Sequence, residues 1–502
     1  MNKTRILTLL LAALMTASTL VMASCGGDTS ADAETTAQNG GDADTIAAET
    51  TAEPDPFEGI SFDGEEFRIL VSANDYDKRG SSIYTIRHSE ESEGDVVGDA
   101  VYTRNLAAEE KLGITFKFIE NTDNYTDIQT TLPKTILAGD DAYELVIHDL
   151  FSMCSLSVQN YFLNVFDIDH FDFTKEYWYE QYMRDVSFES EDKRYILAGD
   201  YFLDILRSAH ALYVNKDIYT SLYGAPEELY DLVLAGSWTQ EVFLDYIAGA
   251  YSDINGDGVA DDGDRYGYCT INYWGPMIPW VISSDITFIE FESNGRPYFA
   301  MNNERSVALL QRLNDIFYND GTHNYSTSVE ANTTAFIEGH SLFGGYQRVS
   351  SIESFRDMED DIGIIPYPKY DDRQEDYITS SHDTANVGVI PMTCGKADMV
   401  GAVVEYLCRE SGDYVVPAYY ETALKVKYAR DDQSSQMLDI IRYNTGGVFA
   451  LAYNGYCNSL PLREAFSTPL TAQSTDFVSN YTSKEAAAQA KLDEIWTAFS
   501  GK

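Results

Sequence analysis

An α/β fold in two lobes is what this sequence predicts, and three features predict it. Between residues 67 and 147, strand-like apolar runs alternate with helix-like amphipathic runs, the pattern of a mostly parallel sheet. At residues 195–219, YILAGDYFLDILRSAHALYVNKDIY, the composition is that of a buried strand, read as the place where the chain leaves one lobe and enters a second. The chain has 502 residues with 44% apolar content, enough for two or three domains and substantial cores.

The elements follow in order. Residues 67–71 (FRILV) form a first core strand, and the polar loop 72–80 after it is expected at a ligand crevice, since such loops lie at strand carboxyl ends. Residues 99–112 form a helix with Val101, Leu106 and Leu112 inward and Gly113 as its stop; residues 114–118 then alternate as a strand. A second helix, about 125–138, ends at Gly139, and 143–147 (YELVI) is a third strand followed by His148-Asp149. The aromatic-rich interval 151–192 reads chiefly as core, although a ligand cleft uses the same residue type.

Beyond this, Ala211 to Val214 is the crossing strand and Asn215-Lys216-Asp217 opens a helix. Val242, Phe243, Tyr246, Ile247 and Ala250 fall at helical spacing, with Ser237 and Gln240 as a capping box. Val307, Leu310, Leu313 and Phe317 mark another helix, 333–338 one more, and 397–409 a helix that returns the chain to the first lobe. A second crossing is expected at 377–389, with His382 and Asp383 near the cleft.

Charge limits the partners. The net charge is -47, from 81 acidic against 34 basic residues, which repels phosphate backbones and anionic lipid surfaces and argues against nucleic acid. Histidines lack metal-ligand spacing, and Cys154, Cys269, Cys394, Cys408 and Cys457 read as mostly buried thiols with room for one disulfide.

One loop does carry a metal pattern. Asp253, Asn255, Asp257, Asp261 and Asp264 stand at positions 1, 3, 5, 9 and 12, with Gly258 at 6 and the Val259 carbonyl at 7, as in a calcium loop of the EF-hand type. It resembles the dockerin variant, with Asp at position 12, and implies a structural Ca2+ of weak affinity.

The N-terminal residues resemble a bacterial lipoprotein signal. Lys3 and Arg5 precede an apolar run from Ile6 to Val21, then Met22-Ala23-Ser24-Cys25, so 1–24 reads as a signal peptide and Cys25 as the lipidated residue. The Ala/Thr/Asp/Glu/Gly-rich stretch 25–56 reads as a flexible tether.

In sequence order, the crossing strand, the YVNKD turn, the GSWTQEVF helix start, the Asp/Gly loop ending at Tyr266-Gly267, and Phe336 to Tyr346 (FIEGHSLFGGY) resemble the extracellular solute-binding proteins of ABC importers, in particular the sugar-capturing family. The resemblance spans about 67–466. It implies a two-lobed, periplasmic-binding-protein-like type II fold with hinge crossovers: lobe 1 from 57–205 plus about 384–425, lobe 2 from 206–383 plus about 426–502. It implies a non-enzymatic monomer, lipid-anchored outside the cytoplasmic membrane, that closes on an extracellular carbohydrate and delivers it to permease subunits. Trp274 and Tyr346 are the implied stacking faces, Asp149 and Asp383 the hydroxyl acceptors, and Tyr201 and Tyr453 further contacts. The 36 tyrosines suit such a cleft. Two alternatives stand beside this reading, a surface-anchored glycan-degrading enzyme and a calcium-stabilised adhesion module. No Gly-x-Ser-x-Gly elbow, HExxH or phosphate loop supports an enzyme.

Overall fold

A computed structural model describes residues 55–73, 85–87, 95–122, 126–325, 328–355, 358–425 and 432–500. The expected signal peptide, Cys25 and nearly all of the tether lie outside the described residues, as does most of the loop 72–80.

The first sheet holds β1 (Glu65–Ser72), β2 (Ile114–Asn121), β3 (Leu145–Asp149) and β11 (Asn386–Val389) in the order β11-β3-β1-β2. β1 runs parallel to β2 and β3, while β11 is antiparallel to β3. On the free side of β11, Leu197 and Gly388 exchange both backbone hydrogen bonds, at 2.8 and 2.9 Å, so the segment before the crossing completes this sheet. The second sheet has β4 (His210–Asn215), β5 (Tyr266–Thr270), β8 (Thr322–Asn324), β9 (Ser341–Arg348) and β10 (Ile362–Ile365) in the order β10-β4-β9-β5-β8. Here β5, β8, β9 and β10 run in one direction and β4 alone is antiparallel to its neighbours. The two sheets therefore share one plan, and the antiparallel strand of each is handed over by chain arriving from the other lobe. A hairpin of β6 (Ile289–Phe291) and β7 (Pro297–Phe299) packs apart from both.

Local chemistry sets the element ends. The helix Val96–Leu112 starts where the Asp95 side chain accepts from Gly98 N–H, and stops at Gly113, which adopts a left-handed φ of 61°. Leu106, expected inward, is 45% exposed. It lies five residues past Val101, about 140° around the helix, whereas Ala108 and Leu112 stay on the buried side. The helix Gln240–Ala248 is capped by Thr239, whose side chain accepts from Val242 N–H, and not by a Ser237–Gln240 box; Gln240 instead donates to Ser284 Oγ. Asn215 caps the helix Lys216–Tyr223 by accepting from Ile218 N–H.

Among the described residues, three segments of chain run side by side where the lobes meet. Ser208–His210 and Ser380–His382 run antiparallel, with His210 N–H donating to Ser380 O at 2.8 Å and His382 N–H to Ser208 O at 2.9 Å. A third strand of chain, Asn444 to Gly446, pairs alongside Thr379. After it, the helix Val448–Ala452, placed in lobe 2 by the sequence reading, packs on the first-lobe helices Leu150–Ser157 and Glu180–Val186. Behind the crossings, Leu206, Ala209 and Tyr213 share one buried cluster with Val101, Val349 and Ile441, so apolar packing runs through the junction. All five described cysteines are buried and free.

Candidate functional site

In open α/β sheets, ligands bind beyond the carboxyl ends of the parallel strands. Here the ends of β3 and β9 and the starts of β4 and β11 converge on the crossings. His210 opens β4 directly opposite Arg348, so the two side chains share a face, together with Tyr346 two residues before. Tyr346 has a positive φ of 55°, an uncommon conformation for a residue with a side chain, and the β4–β9 register shifts beside it. Its ring lies 6.1 Å from the His210 imidazole at an interplanar angle of 24°. Its hydroxyl lies 3.3 Å from His382 Nε2. His382 Nδ1 is in turn 2.9 Å from an Asp383 carboxylate oxygen.

Burial dominates the electrostatics. His210 is held well below the ordinary histidine value by burial, then by His382 and Arg348. His382 is lowered by burial and Arg348, with Asp383 opposing. For Asp383 burial acts upward, but His382 and Arg348 outweigh it and hold the carboxyl below the usual range.

Of the six residues expected in the site, three gather here. Tyr346 and Asp383 meet through His382, and Trp274 flanks Gly275, which packs against the Tyr346 hydroxyl. Trp274 is half-buried with the Arg463 guanidinium 5.1 Å over its ring. Asp149 stands opposite Asn386 in the first sheet, but its carboxylate caps the helix Leu150–Ser157, accepting from Ser152 N–H at 2.8 Å, and pairs with His148. Tyr201 and Tyr453 are placed elsewhere, fully buried: Arg104 covers the Tyr201 ring at 4.8 Å, and the Tyr453 hydroxyl donates to Val186 O at 2.7 Å.

A groove of about 640 Å³ runs along the seam. Phe188 and Asp185 wall it from the first lobe and Phe288 and Asp285 from the second, while Tyr377 and Tyr443 belong to the second and third crossings. Among the described residues, five that line it are carboxylates (Asp185, Glu189, Asp285, Glu375, Asp376) and none is Lys, Arg or His. That lining repels anions and suits neutral or amine-bearing guests. None of the six expected residues lines it. Sequence reasoning missed these positions because they come from four separate segments, and it missed His210 and Arg348 because only sheet register joins them.

In the loop 253–264, Asp253 accepts from Gly256 and Gly258 N–H, Asn255 from Asp257, Asp257 from Val259 and Asp261 from Gly263. Among the described residues, no three His, Cys, Asp or Glu side chains form a metal-holding group. Asp264, at the twelfth position, is fully buried and its Oδ1 has no hydrogen-bond partner, an orphan that a cation would satisfy.

No protein-family model matches the sequence, and no curated protein matches it either. Solved structures do match. A solute-binding protein of an ABC transporter from Thermotoga lettingae, bound with α-D-tagatose, is 12% identical over 86% of this chain and 100% of that one, with a TM-score of 0.52. An ABC substrate-binding protein from Listeria monocytogenes, in complex with cycloalternan, is 13% identical over 87% of this chain and 100% of that one, with a TM-score of 0.51. An uncharacterized protein from Listeria monocytogenes is 12% identical over 85% and 99%, with a TM-score of 0.54. The architecture is thus the two-lobed α/β fold of ABC-transporter solute-binding proteins.

Proposed function

We propose that this chain is the substrate-binding subunit of an ABC importer, capturing an extracellular carbohydrate by hinge closure and passing it unaltered to permease subunits. One observation carries the reading: two sheets of the same plan, joined at the crossings, enclose a groove of about 640 Å³ whose walls come from both lobes. Relative movement of the lobes about the crossings opens or shuts that groove, which is the geometry of a capture device. The structural relatives with tagatose and cycloalternan support carbohydrate as the class of guest. Aromatic rings and carboxylates suit it, since ring faces cover the apolar sides of a sugar and carboxylates accept from its hydroxyls. The acidic lining favours neutral or amino sugars. Among the described residues no helix is long and apolar enough to cross a membrane, and attachment through a lipidated Cys25 is part of the same proposal.

The loop 253–264 is proposed to hold a structural Ca2+, with Asp253, Asn255, Asp257, Asp261 and Asp264 and the Val259 carbonyl as ligands. The orphaned Asp264 Oδ1 supports it.

A thermal-shift and calorimetry screen of the chain from Cys25 onward, over neutral, amino and acidic oligosaccharides, tests the reading. Saturable binding with the sugar recovered intact is expected. Cleavage of the glycan would install the enzyme alternative, and binding of none of the three classes would remove carbohydrate.

A further inference from the structure

We propose that the groove takes a sugar carrying a protonated amine, with Asp185 and Asp285, one from each lobe, as its counter-ions. The inference rests on the carbohydrate-capture reading for its site and names the chemical class of the guest.

The charge in the groove is uncompensated. Glu189 is paired, with Arg184 Nε 2.6 Å from its carboxylate. Asp185, Asp285, Glu375 and Asp376 have no Lys, Arg or His partner among the described residues. Half-buried Asp185 accepts from Gln181 Nε2 at 2.8 Å and from Val448 N–H at 3.2 Å, both neutral donors. Burial raises its carboxyl, Gln181 and backbone amides oppose, and Glu189 adds to the rise. Arg305 reaches Gln374 Oε1 at 3.4 Å from outside the lining, but it also donates to Ser284 O at 2.9 Å and stands 3.8 Å from Asp371.

Enclosure by a guest decides which class fits. A neutral sugar donates hydroxyls, yet it takes water from four like charges and leaves nothing to neutralise them. An ammonium supplies three donors and the missing charge together. Phe188, Phe288 and Tyr443 line the same groove and add an attraction that only a cation receives. The walls are also strained where the charges stand: Phe188 and Glu189 hold φ of 56° and 54° on the first lobe, and Asp285 holds 53° on the second. Side-chain-bearing residues kept in that region collect at ligand clamps.

Calorimetry of the full chain from Cys25 compares the β-1,4-linked glucosamine trisaccharide with the glucose trisaccharide of the same linkage, which has a hydroxyl in place of each amine. The amino sugar is expected to bind at least about tenfold more tightly in dilute buffer, with the preference shrinking as salt is added. Asp185→Asn and Asp285→Asn should each weaken the amino sugar about tenfold and leave the glucose sugar within about twofold. Asp140→Asn, which removes an exposed carboxylate before β3, should change neither. Equal affinities for the two sugars, or an undiminished preference in both groove variants, overturn the amine assignment while carbohydrate capture stands. Should an Asn variant fail to fold, Glu375→Gln, at an exposed carboxylate of the same lining, replaces it. If neither trisaccharide binds, spermidine decides: saturable binding that the groove variants weaken keeps the counter-ions and removes the sugar, and no binding overturns both.

Discussion

A Cβ placed on Gly275 would lie 2.4 Å from the phenolic oxygen of Tyr346. The loop that carries Trp274 and the left-handed residue near the end of β9 are thus in contact through a missing side chain. The rest of the Tyr346 ring is confined by His210 and His382.

Gly275→Ala should therefore cost about 1–3 kcal/mol, as overpacking does when neighbours cannot withdraw. Gly446→Ala is the control, since its nearest neighbour would be 4.0 Å from the new atom. Urea unfolding of both variants checks this, and equal stabilities would mean that the Tyr346 phenol moves freely.

Arg442 reaches from the helix Asp432–Tyr443 to Asp200, 2.8 Å away and 2% exposed, where the Tyr179 hydroxyl also donates. Removing the guanidinium leaves a buried carboxylate with one donor. Arg442→Met should cost about 3–5 kcal/mol, and Asp200→Asn in the same chain should restore much of it. Burial raises the Asp200 carboxyl while Arg442 opposes that rise. In the single variant the group is raised further and the folded state holds its proton to higher pH. The deficit should then be smaller at pH 5 than at pH 7.5, measured by urea unfolding at each.

The alternation of strands and helices and the crossing at 195–219 were legible because apolar periodicity is written locally. The third crossing was not, because Asn444-Thr445-Gly446 has no strand composition and is fixed only by pairing with Thr379. Tyrosine misled for a related reason. The same ring serves a core or a sugar, and only packing separates Tyr201 and Tyr453, both fully buried, from Tyr443, which is 71% exposed on the groove. Asp149 reads equally as acceptor or cap until the Ser152 amide is found on it.

Calcium at 10 mM, against a dissociation constant of about 10⁻³ M, should stabilise the protein by about 1.4 kcal/mol. In a chain this long that is roughly one or two degrees of melting temperature. Asp257→Ala should abolish the shift, and sugar affinity should be the same with calcium or with chelator. A shift that persists in Asp257→Ala assigns the ion elsewhere.

Two aromatic residues decide where the guest lies. Tyr443 borders the groove, so Tyr443→Ala should leave the melting temperature nearly unchanged and weaken binding of the sugar found in the screen at least tenfold. Trp274 carries Arg463 over its ring, a contact worth about 0.5–1 kcal/mol, and also packs on the apolar core, so Trp274→Ala should cost at least that much stability and also weaken binding more than tenfold. Calorimetry on both variants separates the sites. A loss only in Tyr443→Ala confines the guest to the groove and removes Trp274; a loss only in Trp274→Ala moves it to the Tyr346 end of β9. Losses in both describe a guest that touches the groove and the Trp274 loop at once.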